Sequence, residues 1–271
     1  MFNWSLTTFQ SENNDTYNLE HYKYNYMLIF NHEEAGCLAK RVGTDLDVNS
    51  LDSTFSQVGF EIDVHDDLTK AEIMDKLNIL REKDFTKYGC IAVVVLTHGG
   101  YGGTLMAKDA PYNEKEIIEY FKSKTNITLF PKPKILIIQA CRGNSDEQSV
   151  GVGRTWLSSR PDKPDVSYFL SLPPDVLVIH SSYPGHPSFR MEFLGSCFIQ
   201  LLCYEIARCS PILDLESIVT NVKRKIAIHF ARKVFNETTR AYEFNKQMPV
   251  STSTLTKTLY FRKYKDYVKV V

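Results

Sequence analysis

No stretch of this chain approaches the run of about 18 apolar residues that a membrane-spanning helix needs. The opening residues, MFNWSLTTFQSENND, lack both the basic region and the apolar core of a secretory signal. Charge of one sign is missing too. Lys and Arg number 32 against 32 Asp and Glu, so the balance gives no support to nucleic acid, a membrane surface or a polyanion as partner. The run Lys223-Arg224-Lys225 reads as a solvated helix face. The six cysteines, Cys37, Cys90, Cys141, Cys197, Cys203 and Cys209, form no C-x-x-C pair and sit largely in apolar periodic segments. That is the pattern of reduced thiols in a cytosolic protein, not of a disulfide framework or a zinc site. NHEEAG at 31–36 lacks the second histidine of H-E-x-x-H, which excludes a zincin helix. There is no internal repeat. The expectation is a cytoplasmic protein with no metal and no cofactor.

What is present is a strong alternation. At 271 residues, 43% apolar and 24% charged, the chain has enough material for one large or two small cores. Residues 1–20 are polar and aperiodic and read as a flexible leader. Tyr24 to Asn31 then reads as a strand, Thr44 to Gly59 as a helix, and Phe60 to His65 as a strand. A capping box, Thr69 with Glu72, opens the next helix. Cys90 to Gly100, Lys134 to Ala140 and Asp175 to Ser182 are apolar runs typical of strands buried on both faces, with a short helix from Asn113 to Ser123 between the first two. Helices follow over Gly195 to Cys209 and Leu215 to Lys233, and the last predicted strand is Thr254 to Phe261. Such alternation implies an α/β fold with a mostly parallel sheet covered on both faces. Ligand sites in such sheets lie beyond the carboxyl ends of the strands. Gly143 to Pro174 breaks the rhythm with about thirty aperiodic residues, a length that is functional or disordered in a compact domain.

Two of the buried strands end in reactive side chains. VVVLTHGG delivers His98, and LIIQAC delivers Cys141. Were the strands neighbours, an imidazole would stand beside a thiol, able to take its proton or compensate its charge. Gly99 and the backbone at Cys141 would then be placed to offer N–H groups to an oxyanion. A lone cysteine after an apolar run is more often a core residue, and a lone histidine is more often simply hydrogen-bonded. Cys197, Cys203, Cys209 and His180 are left with those bland roles.

The string QACRG, Gln139 to Gly143, matches the caspase signature, with His98 lying 43 positions upstream of Cys141. KRVGTDLD (Lys40 to Asp47), LTHGG, SSYPGHPSFRMEFLGSCFIQLLC and NKQMPVSTSTLTKTLYF also resemble caspase segments, in the family's order, over roughly residues 22–264. The resemblance implies a caspase-like fold: a mostly parallel six-stranded sheet with helices on both faces, divided into large- and small-subunit halves. It implies a short prodomain at 1–20, a large-subunit region at 21–145, an intersubunit linker at 146–174 and a small-subunit region at 175–271. It further implies that Cys141 is the nucleophile, that His98 handles the proton, and that the Gly99 and Cys141 backbones make the oxyanion hole. Arg41, Gln139 and Arg190 would grip a substrate aspartate, a task suited to the permanently charged, forked guanidinium. Ser188 would pair with the substrate backbone, and Phe189 with Tyr242 would offer an aromatic S2 pocket. Cuts after Asp165, Asp162 or Asp146 would separate the subunits, with Asp175 the least favoured because it abuts a strand. A cut after Asp15 would release the leader.

The resemblance thus implies an aspartate-specific cysteine endopeptidase of executioner type, acting in apoptosis as a processed homodimer. Its partners would be protein substrates, upstream initiator caspases and inhibitor-of-apoptosis proteins. There are departures. Pro187, Phe189 and Cys197 replace usual aromatic residues around S2 and S4, and GGYGG replaces Gly-Glu-Glu-Gly after the histidine. Two alternatives stand beside this reading. One is a caspase-like regulator that binds true caspases, which retention of all five key residues argues against. The other is a nucleotide-binding domain, for which the glycine fingerprint is missing. An arginine-specific metacaspase would need an acidic pocket, which Arg41 and Arg190 contradict.

Overall fold

The computed structural model describes residues 15–122, 126–143, 172–236 and 240–261. Its centre is a six-stranded sheet built from β1 (Tyr24–Asn31), β2 (Phe60–Asp66), β3 (Tyr88–Leu96), β6 (Lys134–Gln139), β7 (Val176–His180) and β12 (Val250–Ser253). The spatial order is β12-β7-β6-β3-β1-β2, with every pairing parallel except β12 against β7. The minor strands are β4 (Thr104–Met106), β5 (Pro111–Asn113), β8 (Arg190–Met191), β9 (Gly195–Ser196), β10 (Ala231–Asn236) and β11 (Ala241–Lys246).

The apolar runs explain why the centre of the sheet is invisible to solvent. Side chains of a strand alternate between faces, so a run without polar interruption needs cover on both. Cys90, Ala92, Val94 and Leu96 of β3 enter one core together with α1 (Thr44–Gln57), α4 (Cys197–Cys209) and α5 (Leu215–His229). Ile91, Val93 and Val95 enter the other, against α2 (Lys70–Glu82) and α3 (Glu114–Glu119). Ile135 and Ile137 of β6 face the first core, and Leu136 and Ile138 the second. The expected capping box at α2 is formed, with Thr69 and Glu72 each satisfying the other's backbone N–H.

Four expectations need correction. The helix predicted to reach Lys233 stops at His229, because Phe230 is extended and 231–236 pairs antiparallel with 241–246. That hairpin sets Phe235 opposite Tyr242, a partner that no helical window contains. The last sheet strand is Val250–Ser253 rather than Thr254–Phe261. Leu259 and Phe261 still bury, but as a cover strap, with Phe261 ring centroids 6.0 and 5.3 Å from Phe55 and Phe60. The leader is not wholly loose: Tyr17 and Thr258 exchange backbone contacts, the Tyr17 N–H donating to the Thr258 carbonyl at 3.0 Å. Gly195 and Ser196 form a short strand, so α4 begins at Cys197.

The parallel register levels the strand ends. Asn31 pairs with Leu96, Leu96 with Gln139, and Ile138 with His180. The chain runs outward in both directions from β1, so the crevice of this sheet opens beyond the carboxyl ends of β1 and β3.

Candidate active site

His98 and Cys141 each lie two residues past a paired position, Leu96 on β3 and Gln139 on β6. They therefore leave neighbouring strands at the same level. Their main chains touch: a Cβ on Gly99 would stand 2.5 Å from the Cys141 carbonyl oxygen. This glycine is required by close approach, not by an unusual backbone angle. The histidine loop is held in turn by β4, through Met106 N–H to the His98 carbonyl at 3.0 Å and Gly100 N–H to the Thr104 carbonyl at 2.9 Å.

The His98 ring shows how its protons are arranged. Nε2 lies 2.7 Å from the Ala39 carbonyl oxygen. A carbonyl only accepts, so Nε2 carries the proton and Nδ1 is the basic nitrogen of the neutral ring. The Cys141 sulfur is half-buried against Ser188, whose N–H donates to Sγ at 3.4 Å and whose carbonyl lies 3.8 Å away. Residues 185–186 are bound alongside through Gly185 N–H to the Arg142 carbonyl at 2.7 Å and Arg142 N–H to the His186 carbonyl at 3.1 Å.

Arg41, Gln139 and Arg190 converge next to this pair. Arg41 is 3% exposed, and its Nη1 donates to the His32 carbonyl at 2.9 Å and to Thr44 Oγ1 at 2.8 Å. Burial, followed by the like charge of Arg190, pushes the guanidinium down to about 9, still charged at neutral pH. Arg190 donates from Nε to the Val42 carbonyl at 3.2 Å. Gln139 donates from Nε2 to Ser188 Oγ at 2.8 Å, while its buried Oε1 has no hydrogen-bond partner among the described residues. Two cations and an amide brought together in one recess form a site suited to an acidic group.

Under this surface lies a layer that the sequence reading left out. Ser181 and Ser182, fully buried just past β7, both donate to the Ala140 carbonyl, at 3.2 and 3.3 Å. Glu114 is buried at the start of α3, with Oε2 2.7 Å from His180 Nε2 and Oε1 3.8 Å from Arg142 Nη2. Burial alone would raise its pKa, but His180 and Arg142 outweigh that and hold the carboxyl below its ordinary value. Gln247, also fully buried, accepts from Phe189 N–H at 2.7 Å and donates to the Ser181 carbonyl at 2.7 Å. It sits inside the quoted segment NKQMP, so the motif carried the signal without showing the role.

Other predicted residues are placed differently. Tyr242 is 62% exposed and stacks edge-on with Phe235 at 5.2 Å. No ring contact joins it to Phe189 among the described residues. Cys197 is buried, its thiol donating to Gln247 Oε1 at 3.3 Å, rather than lining an open pocket. Asp146, Asp162 and Asp165 lie outside the described residues. Asp175 is buried and accepts from Tyr17 and Thr256 hydroxyls at 2.5 Å each, a structural role that explains its low standing as a cut site. Asp15 is exposed, and its carbonyl accepts from Thr258 N–H at 2.8 Å.

A thiol and an imidazole level on adjacent strands, beside a paired-arginine recess, make up the site of a cysteine peptidase. The caspase domain model matches residues 25–260. Caspase-1 of Spodoptera frugiperda is 32% identical over 253 residues, 93% of this chain and 83% of that protein. Caspase-3 of Bos taurus is 32% identical over 91% of this chain and 88% of its own length. The crystal structure of the Spodoptera frugiperda protein superposes with a TM-score of 0.78 at 31% identity, covering 93% of this chain and 95% of that one. The chain belongs to the caspase family, and its fold is the caspase fold.

Proposed function

We propose that the chain is an aspartate-specific cysteine endopeptidase of executioner type. The observation that carries this is the recess of Arg41, Arg190 and Gln139 next to Cys141. A substrate aspartate entering it would offset the repulsion between the two cations, while a neutral side chain would leave that repulsion in place beside the buried Arg41. The scissile carbonyl then meets the Cys141 thiolate. As the C–S bond forms, negative charge moves to the carbonyl oxygen, which the Gly99 and Cys141 N–H groups receive. The thiol proton passes to His98 Nδ1, which gives it to the leaving amine as the C–N bond breaks; the same nitrogen, bare again, takes a proton from the water that hydrolyses the thioester. The Ser188 N–H bond to sulfur loosens on that path, freeing the segment 188–190 to run beside the substrate.

The same reading makes the chain a zymogen cut within 146–174, after Asp165 or Asp162, with release of the leader after Asp15. It places the processed homodimer in the cytoplasm, in apoptosis, downstream of initiator caspases and open to inhibitor-of-apoptosis proteins. A second reading is favoured by one observation: Ser188 occupies the thiol, as it would in a catalytically weak regulator of other caspases. Wild type and Cys141→Ala, incubated with a fluorogenic tetrapeptide library varied at P1 and P4 and followed on a denaturing gel, separate the two. Turnover only after aspartate, absent from the variant together with linker cutting, is the expected result. No turnover by wild type cut in its linker would overturn the peptidase reading and favour the regulator.

A further inference from the structure

The buried hydroxyls of Ser181 and Ser182 have no part in substrate recognition, yet both reach one atom beside the nucleophile. Ser181 Oγ is 3.2 Å and Ser182 Oγ 3.3 Å from the Ala140 carbonyl oxygen, and the Ala140 N–H returns to Ser181 Oγ at 3.3 Å. Both serines are 0% exposed. Their own main chain is fixed, with Ser181 N–H on the Ile138 carbonyl at 2.9 Å and the Ser181 carbonyl on Gln247 Nε2 at 2.7 Å.

The Ala140 carbonyl and the Cys141 N–H belong to one planar trans peptide, in which the two groups point to opposite sides. Holding the carbonyl toward β7 therefore aims the N–H toward the β3 side, where Gly99 lies against the Cys141 main chain. Two hydroxyls donating to the carbonyl also polarise the amide and strengthen its N–H as a donor.

We propose that Ser181 and Ser182 are positioning residues for the oxyanion hole, setting the plane and donor strength of the Ala140–Cys141 peptide. The inference rests on the peptidase reading of Cys141 and extends it to two residues that never touch substrate. A merely structural role would loosen the whole site. An oxyanion role affects only reactions in which a carbonyl oxygen gains charge.

The experiment compares wild type, Ser181→Ala, Ser182→Ala and Ser182→Thr, all cut in the linker. For each, kcat and KM are measured on an aspartyl tetrapeptide substrate. Inhibition by the matching peptide aldehyde, whose thiohemiacetal oxygen needs the hole, is compared with the rate of Cys141 alkylation by iodoacetamide, which builds no oxyanion. Each alanine variant is expected to lose roughly tenfold in kcat with KM little changed, less than the loss of a whole donor. Aldehyde affinity should fall in proportion and alkylation should hold within about twofold, while Ser182→Thr restores both kcat and aldehyde affinity. Unchanged kcat and aldehyde affinity in both alanine variants would overturn the proposal, as would alkylation falling together with the aldehyde. Testing the hydroxyls singly leaves one readable if the other variant unfolds. Wild type that turns over no aspartyl peptide would instead defeat the underlying peptidase reading, an outcome visible before any variant is made.

Discussion

The carboxyl ends of β3 and β6 and the exposed rim segments, one around β8 and one along the β10–β11 hairpin, lie on the same molecule under opposite rules. At the strand ends the key groups are fixed by hydrogen bonds: His98 to the Ala39 carbonyl, Arg41 to the His32 carbonyl, and the Ala140 carbonyl to two buried serines. On the rim the large side chains face water, Phe193 at 89% and Tyr242 at 62% exposed. The difference teaches that groups at the strand ends are held by a sheet packed from both faces, while exposed positions such as Phe193 and Tyr242 can change without disturbing it.

Four substitutions test that division, in order of expected effect. Gly99→Ala puts a Cβ 2.5 Å from the Cys141 carbonyl oxygen and 3.0 Å from the Thr104 carbonyl oxygen, both backbone atoms that cannot swing away. It should lower kcat roughly 10³-fold, as displacement of a whole oxyanion donor does; near-normal turnover would show the strand ends to be more pliant than their packing implies. Arg190→Ala removes half of the paired-cation recess at its more open edge. We expect a loss of about 3 kcal/mol in binding the aspartate side chain, a hundredfold or more in kcat/KM, with the melting temperature little changed.

Glu114→Gln probes the strand ends from below. The carboxyl has a folded pKa below its ordinary value, so its ionisation supports the fold. That support is complete above the unfolded pKa, near 4.5, and is lost as pH falls through the folded value. Denaturation monitored from pH 7 to pH 3 should show the wild type losing stability below about pH 4.5 and the variant a flatter acid limb. At neutral pH the variant should be about 3 kcal/mol less stable, because Arg142 loses its buried counter-charge and His180 its carboxylate partner. Tyr242→Ala, on the rim, should alter stability by less than about 0.5 kcal/mol. Its effect should be confined to a few-fold change in KM among peptides differing at P2 and P4. A large loss of stability there would erase the contrast between rim and sheet.

What the sequence determined by itself was what short-range pattern encodes. Continuous apolar runs gave β3, β6 and β7, because a strand without polar residues must be covered on both sides. Thr69 with Glu72 opened α2, and QACRG with its spaced companions marked the family. Only the tertiary structure decided what depends on partners distant in the chain. The non-sequential strand order brings β3 beside β6 and levels His98 with Cys141. The hairpin of β10 and β11 overrides a helical pattern once its second strand is available. Ser181, Ser182, Glu114, His180 and Gln247 are ordinary polar residues in one dimension. They acquire a place because buried polar groups must find partners, and the partners they find are the main chain and side chains around Cys141.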